Sequence, residues 1–290
     1  MKILFITHTR IGDAVMSTGL LRHLVEIYPA ARFTIVCGPL AAPLFAAVPN
    51  CDRVIVMTKR PYDAHWFTLW TDVRRTRWDI AVDLRRSLIT YLIPCRQRFV
   101  LGPIAAGQHH VRHLSALLKI EPPPSPHIYV SPQHRARAEA LVPDGPPVLA
   151  LAPLAADPAK TWPLASFEAL AVMLMSGGLC AGWRIALIGG PNDAASAADL
   201  AMAVPGCITI FNEPDLLTVA AVLARARAFI GNDSGLGHMA AAVGIPTLAI
   251  FGPTDPSRYG PWGGQVVIAP KGDLSALSVA AVGEAFKRLV

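Results

Sequence analysis

The sequence predicts an α/β protein made of two doubly wound parallel sheets, each in its own domain. Short apolar runs alternate with helical patterns along the whole chain of 290 residues, as α/β units around parallel strands require. A proline-rich stretch, Glu121-Pro122-Pro123-Pro124-Ser125-Pro126 through Pro143-Asp144-Gly145-Pro146-Pro147, parts two such arrays. Proline stiffens a segment and is barred from helix and sheet interiors, so the boundary is expected near residue 145, between domains 1–145 and 146–290. Polar, glycine-bearing segments follow directly on several apolar runs, where open α/β sheets hold their ligands. Two such domains place the ligand in a cleft between facing strand ends.

In the first half the strand candidates are Ile3–Thr7, Phe33–Cys37, Val54–Met57 and Ile80–Asp83. A helix from about Asp13 to Tyr28 joins the first two, with Val15, Leu20, Leu21, Leu24 and Ile27 on its apolar side. In the second half strands are expected at Val148–Ala152, Arg184–Ile188, Thr209–Phe211, Ala228–Gly231 and Thr247–Phe251. Helices fall between them at Leu164–Ser176, Ala194–Ala203, Leu216–Arg225 and Met239–Gly244, and a last helix at Ser275–Leu289. No repeat of fixed short period is visible.

Hydrophobic residues at 53% and charged residues at 16% exclude general disorder. Pro, Arg or Asp interrupts each apolar stretch before the ~18 residues of a membrane span. The opening Met1-Lys2-Ile3-Leu4-Phe5-Ile6 turns polar at Thr7-His8-Thr9-Arg10, which suits a buried strand rather than a signal peptide. Five scattered cysteines without CxxC spacing read as reduced thiols, with no disulfide framework and no zinc site. A soluble cytoplasmic protein is expected. Residues 1–145 hold 18 Lys/Arg against 10 Asp/Glu, and residues 146–290 hold 8 against 10. The basic excess is either a solvated surface or a face for a polyanion. No nucleic-acid motif accompanies the arginines, which favours an anionic acceptor or a membrane face over nucleic acid. Arg10, Arg85 and Arg86 are the acceptor-binding candidates.

The segment 228–263 carries the clearest chemistry. Ala228-Phe229-Ile230 breaks at Gly231-Asn232-Asp233-Ser234-Gly235-Leu236-Gly237-His238, and a helix follows. A glycine-flanked Asp-Ser at a helix start aims free N–H groups and a positive dipole end at an anion such as a diphosphate. His238 either holds this loop or touches ligand. Lys160, in Asp157-Pro158-Ala159-Lys160-Thr161-Trp162-Pro163 after the first strand of the second half, is a second diphosphate candidate, set against the ordinary fate of a solvated lysine. Gly189-Gly190 ends another strand and could bring backbone close to a nucleotide. After the first strand of the chain, Gly12 precedes Asp13 at the start of a helix. Spacing alone favours Asp13 as an N-cap; the alternative is a carboxylate that takes a proton from an attacking hydroxyl. His109, His110 and His113 lack a carboxylate or cysteine at ligand spacing, so no metal is expected. GxSxG, GxxxxGK[ST] and a GxGxxG after the first strand are absent.

Together, Arg10-Ile11-Gly12-Asp13, Lys160-Thr161-Trp162-Pro163 with Phe167 and Leu170, and Gly231-Asn232-Asp233-Ser234-Gly235 with His238 resemble the glycosyltransferase family 9 pattern of the lipopolysaccharide ADP-heptosyltransferases. Phe251-Gly252-Pro253-Thr254-Asp255-Pro256 and Pro261-Trp262-Gly263 extend the resemblance to nearly the whole chain. The resemblance implies a GT-B fold of two Rossmann-like domains, acceptor-binding in the first half and nucleotide-sugar-binding in the second. It implies an inverting, metal-independent transfer with no cofactor, moving a sugar, heptose from ADP-heptose foremost, onto a lipopolysaccharide-core or related lipid-linked acceptor, with peripheral contact at the cytoplasmic face of the inner membrane. Asp13 would be the general base; Lys160 with the Ser234 and Gly235 backbone would hold the diphosphate; Asp233 and His238 would position the loop or the donor sugar. The chain departs from the family at Ala152-Pro153-Leu154-Ala155-Ala156, where a glycine and a small hydroxyl residue are usual, and in its short tail after Gly264. Two other readings are a GT-B-type enzyme with another donor or an epimerase, and a non-catalytic nucleotide-sugar-binding protein.

Overall fold

β1 (Lys2–Ile6) carries four consecutive apolar side chains, Ile3 to Ile6, all fully buried, as a central parallel strand covered on both faces requires. The computed structural model describes residues 1–105, 107–176, 179–204, 206–213 and 215–290. After β1 come α1 (Ile11–Ile27), β2 (Arg32–Cys37), β3 (Cys51–Val56), α2 (Ala64–Val73), β4 (Trp78–Asp83), β5 (Cys95–Val100) and α3 (His110–Ala116). The strands form one parallel sheet in the order β3-β2-β1-β4-β5. α1 is buried along most of its length, and Gly19 shows why: a Cβ there would lie 2.3 Å from the Pro124 carbonyl oxygen. The proline-rich segment thus crosses α1 at van der Waals range, pinned by the bond from His127 N to Thr18 Oγ1.

The chain continues through α4 (Pro132–Leu141), β6 (Val148–Ala152), α5 (Leu164–Ser176), β7 (Arg184–Ile188), α6 (Ala198–Ala203), β8 (Ile208–Ile210), α7 (Leu216–Ala224), β9 (Ala228–Asn232), α8 (Gly235–Ala242), β10 (Thr247–Phe251), α9 (Pro256–Tyr259), β11 (Gln265–Ile268) and α10 (Val279–Lys287). Here the parallel order is β11-β10-β9-β6-β7-β8. β6, β9 and β10 are buried at every position, and α5 and α10 pack Phe167, Leu170 and Phe286 against the same core as Leu149, Leu151 and Ile230.

The chain divides into two compact units, residues 1–129 and 130–290. The division falls ahead of the boundary expected near residue 145, because α4 belongs to the second unit. Arg137 on α4 pairs with Glu213 at 3.1 Å, and His134 pairs with Asp215 at 3.3 Å. The proline cluster at 143–147 shapes an internal loop of that unit, where Arg225 Nε donates to the Val142 carbonyl and Arg184 Nε to that of Pro146. α2, α3, α4, α9 and the edge strands β5 and β11 were not among the expected elements. α6 starts at Ala198 rather than Ala194, because Asp193 closes a separate turn on Gly190. No helix among the described residues is long and apolar enough to cross a membrane.

In each sheet the strand order reverses at one place, between β1 and β4 in the first unit and between β6 and β9 in the second. Ligands of doubly wound folds bind outside the carboxyl ends of the strands at such a reversal.

Candidate active site

In the first unit the loops leaving β1 and β4 bring Asp13 and Arg85 each within electrostatic reach of His8. Arg10 takes the N-cap of α1 in an extended conformation (φ −83°, ψ 145°) and makes no side-chain cap bond. The helix therefore starts earlier than expected, with Gly12 inside its first turn and Asp13 as its third residue. Asp13 is not the N-cap that spacing favoured. Its half-buried carboxylate stays free of capping duty, near the positive end of the helix. Beside it, burial lowers the pKa of His8, and Arg85 adds to that while Asp13 opposes it. His8 stacks edge-on against His110 at 5.3 Å, and its Nε2 is buried with no hydrogen-bond partner among the described residues.

Asp83, the last residue of β4, is fully buried and shapes the turn that presents Arg85. Its Oδ1 accepts from Arg85 N at 2.9 Å; its Oδ2 accepts from Ser87 N at 2.8 Å and Ser87 Oγ at 2.6 Å. Burial pushes the Asp83 carboxyl up, against these hydrogen bonds. Arg85 is half-buried with its guanidinium 4.9 Å from the Trp66 ring, while Arg86 (φ 56°) and Arg10 are exposed. His109 caps α3 by accepting from Val111 N at 3.1 Å. Among the described residues no group of three or more His, Cys, Asp or Glu is placed to hold a metal ion.

In the second unit the loops after β6 and β9 meet at the reversal point. Lys160 Nζ donates to Asp233 Oδ2 at 2.6 Å, with the Asp233 side chain buried and the lysine half-buried. One ammonium proton is used there, leaving two donors. Asn232, fully buried at the end of β9, fixes the loop that carries the lysine: its Oδ1 accepts from Trp162 N at 3.0 Å and its Nδ2 donates to the Pro153 carbonyl at 2.8 Å. Trp162 is itself locked, its Nε1 donating to the Leu277 carbonyl at 3.1 Å and its ring edge-on to Phe167. The altered 153–156 loop is thus held to β9 through Asn232. Gly231 lets the strands come together, since a Cβ there would lie 2.9 Å from the Ala152 Cβ and 2.6 Å from the Phe229 ring.

Ser234 is the N-cap of the eight-residue α8, yet its side chain makes no cap bond. Its Oγ is buried with no hydrogen-bond partner among the described residues. A buried hydroxyl left unpaired costs free energy, which makes this one a candidate to bond a partner from outside the chain. With the first-turn N–H groups beginning at Gly235, and Lys160 beside Asp233, it makes a seat for an anion. His238 lies one turn further along α8 and is buried. Gly189 and Gly190 stand apart at the end of β7, where their N–H groups are already taken by the Ile210 carbonyl at 3.2 Å and by Asp193 Oδ2 at 2.7 Å. Sequence reading gave no role to His8, Asp83 or Asn232, the last quoted only within its motif. Each is a polar residue just at or after the end of an apolar strand flanking a reversal point, and that position was their signal.

The sequence profile of Glycosyltransferase family 9 (heptosyltransferase) matches residues 103–279, more than half of the chain. Lipooligosaccharide heptosyltransferase 2 of Haemophilus influenzae is 27% identical over 312 aligned positions, covering 92% of this chain and 88% of that one. A glycosyltransferase family 9 structure from Veillonella parvula superposes with a TM-score of 0.82 at 20% identity, covering 99% and 96% of the two chains. The E. coli heptosyltransferase WaaC with ADP superposes with a TM-score of 0.79 at 21% identity over the full length of both. The fold is thereby that of the GT-B heptosyltransferases.

Proposed function

The chain belongs to glycosyltransferase family 9, and from that premise we propose that it transfers heptose from ADP-heptose to a lipopolysaccharide-core or related lipid-linked acceptor, with inversion at the anomeric carbon. The enzyme is a glycosyltransferase; donor, acceptor and stereochemistry are the proposal. The observation that carries it is the unpaired Ser234 hydroxyl at the uncapped start of α8, beside Lys160. That trio suits a diphosphate, and the relative of the same fold was solved with ADP.

In the proposed reaction the acceptor hydroxyl oxygen attacks the anomeric carbon from the face opposite the diphosphate. The new C–O bond forms as the bond to the phosphate oxygen breaks, the hydroxyl proton passes to the Asp13 carboxylate, and ADP leaves with the electron pair. Negative charge grows on the diphosphate, where Lys160, Ser234 Oγ and the α8 N–H groups oppose it. Preorganised donors of this kind are worth several kcal/mol. Protein groups supply the positive charge, and the reaction as proposed uses no metal. Arg10, Arg85 and Arg86 gather around the acceptor's anionic groups.

The test is Asp13→Asn, which keeps shape and removes basicity. Turnover should fall by about 10²–10⁴-fold, while ADP binding measured by calorimetry stays within about twofold of the parent chain. Unchanged turnover would remove Asp13 from the role of base; no turnover by the parent chain with any ADP-heptose and acceptor pair would remove the heptosyl reading.

A further inference from the structure

The first unit carries an exposed apolar face that adjoins the β4 turn, where Arg85 lies against Trp66 of α2. α2 buries His65, Leu69 and Val73 against the sheet and turns Phe67 outward, 66% exposed. Next to it, the short turn after β4 exposes Leu88 (74%), Tyr91 (60%) and Leu92 (61%) while burying Ile89 and Thr90. Single exposed apolar residues are ordinary; a contiguous set is not. Continuity is given by Trp70, whose Nε1 donates to the Leu92 carbonyl at 3.1 Å and whose ring lies 5.7 Å from that of Phe67.

Cations are interleaved with these side chains. The Arg74 guanidinium lies 4.8 Å from the Trp70 ring, and that of Arg98 lies 4.9 Å from Tyr91. Arg60 and Arg75 are exposed nearby in sequence, and residues 58–98 hold nine Lys/Arg against four Asp/Glu. A second copy of this face would bring arginines against arginines, which argues against self-association. Aromatic and aliphatic tips set among arginines match the boundary of an anionic lipid surface, where rings sit at headgroup depth and cations meet phosphates.

We propose that the α2 face, with Phe67, Trp70, Leu88, Tyr91 and Leu92 among Arg74, Arg75 and Arg98, docks the protein on an anionic lipid bilayer. This deepens the proposed lipid-linked acceptor by naming the surface that meets the membrane carrying it. It needs no catalytic role for any residue in the face.

The experiment is co-sedimentation of the full chain with vesicles of phosphatidylcholine, alone or with about one-third phosphatidylglycerol. Binding should be at least about tenfold stronger to the anionic vesicles and should weaken as salt rises. The variant Phe67→Ser/Leu88→Ser/Leu92→Ser should lose about tenfold in that binding, and Arg74→Glu/Arg75→Glu at least as much. Equal partitioning of the parent and both variants would overturn the proposal. So would a parent dimer, seen by sedimentation velocity, that the triple variant abolishes, since the face would then be a self-interface. On a water-soluble, delipidated acceptor the triple variant should keep the parent's kcat/KM; a loss there would make the face a wall of the acceptor site and overturn bilayer docking. If the transferase reading fails and no acceptor is turned over, the vesicle results still decide this proposal.

Discussion

At the scale of single residues, Ser234 separates stability from function. Its hydroxyl is buried and unpaired, so the free protein bears a cost that the proposed diphosphate would relieve. Ser234→Ala removes the unpaired group together with the cost. Without ligand, the variant should be as stable as the parent or more so, by up to about 1 kcal/mol in denaturant titration. With saturating ADP, the rise in apparent melting temperature should be smaller in the variant, because ligand affinity enters stability through mass action. A variant that loses stability alone and keeps its full ADP shift would show that the hydroxyl serves the fold. Asn232 presents the opposite case. Both ends of its amide are engaged within the chain, so it acts on the site by holding the lysine-bearing loop, and its removal should be felt with or without ligand.

At the scale of elements, α7 illustrates how a local rule becomes tertiary structure. Asp215 caps it, accepting from Leu217 N at 3.2 Å and from Thr218 N at 3.0 Å and Thr218 Oγ1 at 2.7 Å, and it also meets His134 of α4. Asp215→Ala should cost about 1–2 kcal/mol in urea unfolding, the upper part of the range for a lost cap, because the α4 contact goes with it. A cost below about 0.5 kcal/mol would mean that packing alone sets the helix start. The same scale shows what could be read beforehand. Strands such as Val148–Ala152 and Thr247–Phe251 matched their expected bounds because central parallel strands are unbroken apolar runs. β5, with Arg96 and Arg98 in Cys95–Val100, was missed because an edge strand needs no such run and its charge masks it. α2 was missed because its buried His65 and outward Phe67 blur the apolar stripe that Leu69 and Val73 continue. α4 hid behind the prolines on either side of it, which pulled the expected boundary past it.

At the scale of the molecule, each half holds one sheet and one strand-order reversal, and the candidate residues sort onto these. Asp13, Lys160, Asp233 and Ser234 could be named beforehand because they lie just after apolar runs. Their local duties could not, since these depend on partners distant in sequence, such as Asp233 with Lys160, 73 positions apart. The glycine pair at 189–190 shows the converse: a Gly-Gly turn looks open to a phosphate until a residue three positions on, Asp193, takes one of its N–H groups. The division of roles between the two units gives the last prediction. If the diphosphate seat lies in the second unit, ADP alone should slow amide exchange in the loop 153–163 and in 231–240, where Lys160, Asn232 and α8 are held. Exchange around Gly189 should change less, because those N–H groups are already bonded. The β1–α1 and β4 loops of the first unit should stay close to their ligand-free rates until an acceptor is added. Hydrogen exchange followed by mass spectrometry reads these segments separately. Protection by ADP that is as strong at residues 7–14 as at 231–240 would mean that the first unit takes part in holding the nucleotide, and the assignment of donor and acceptor to separate units would fail.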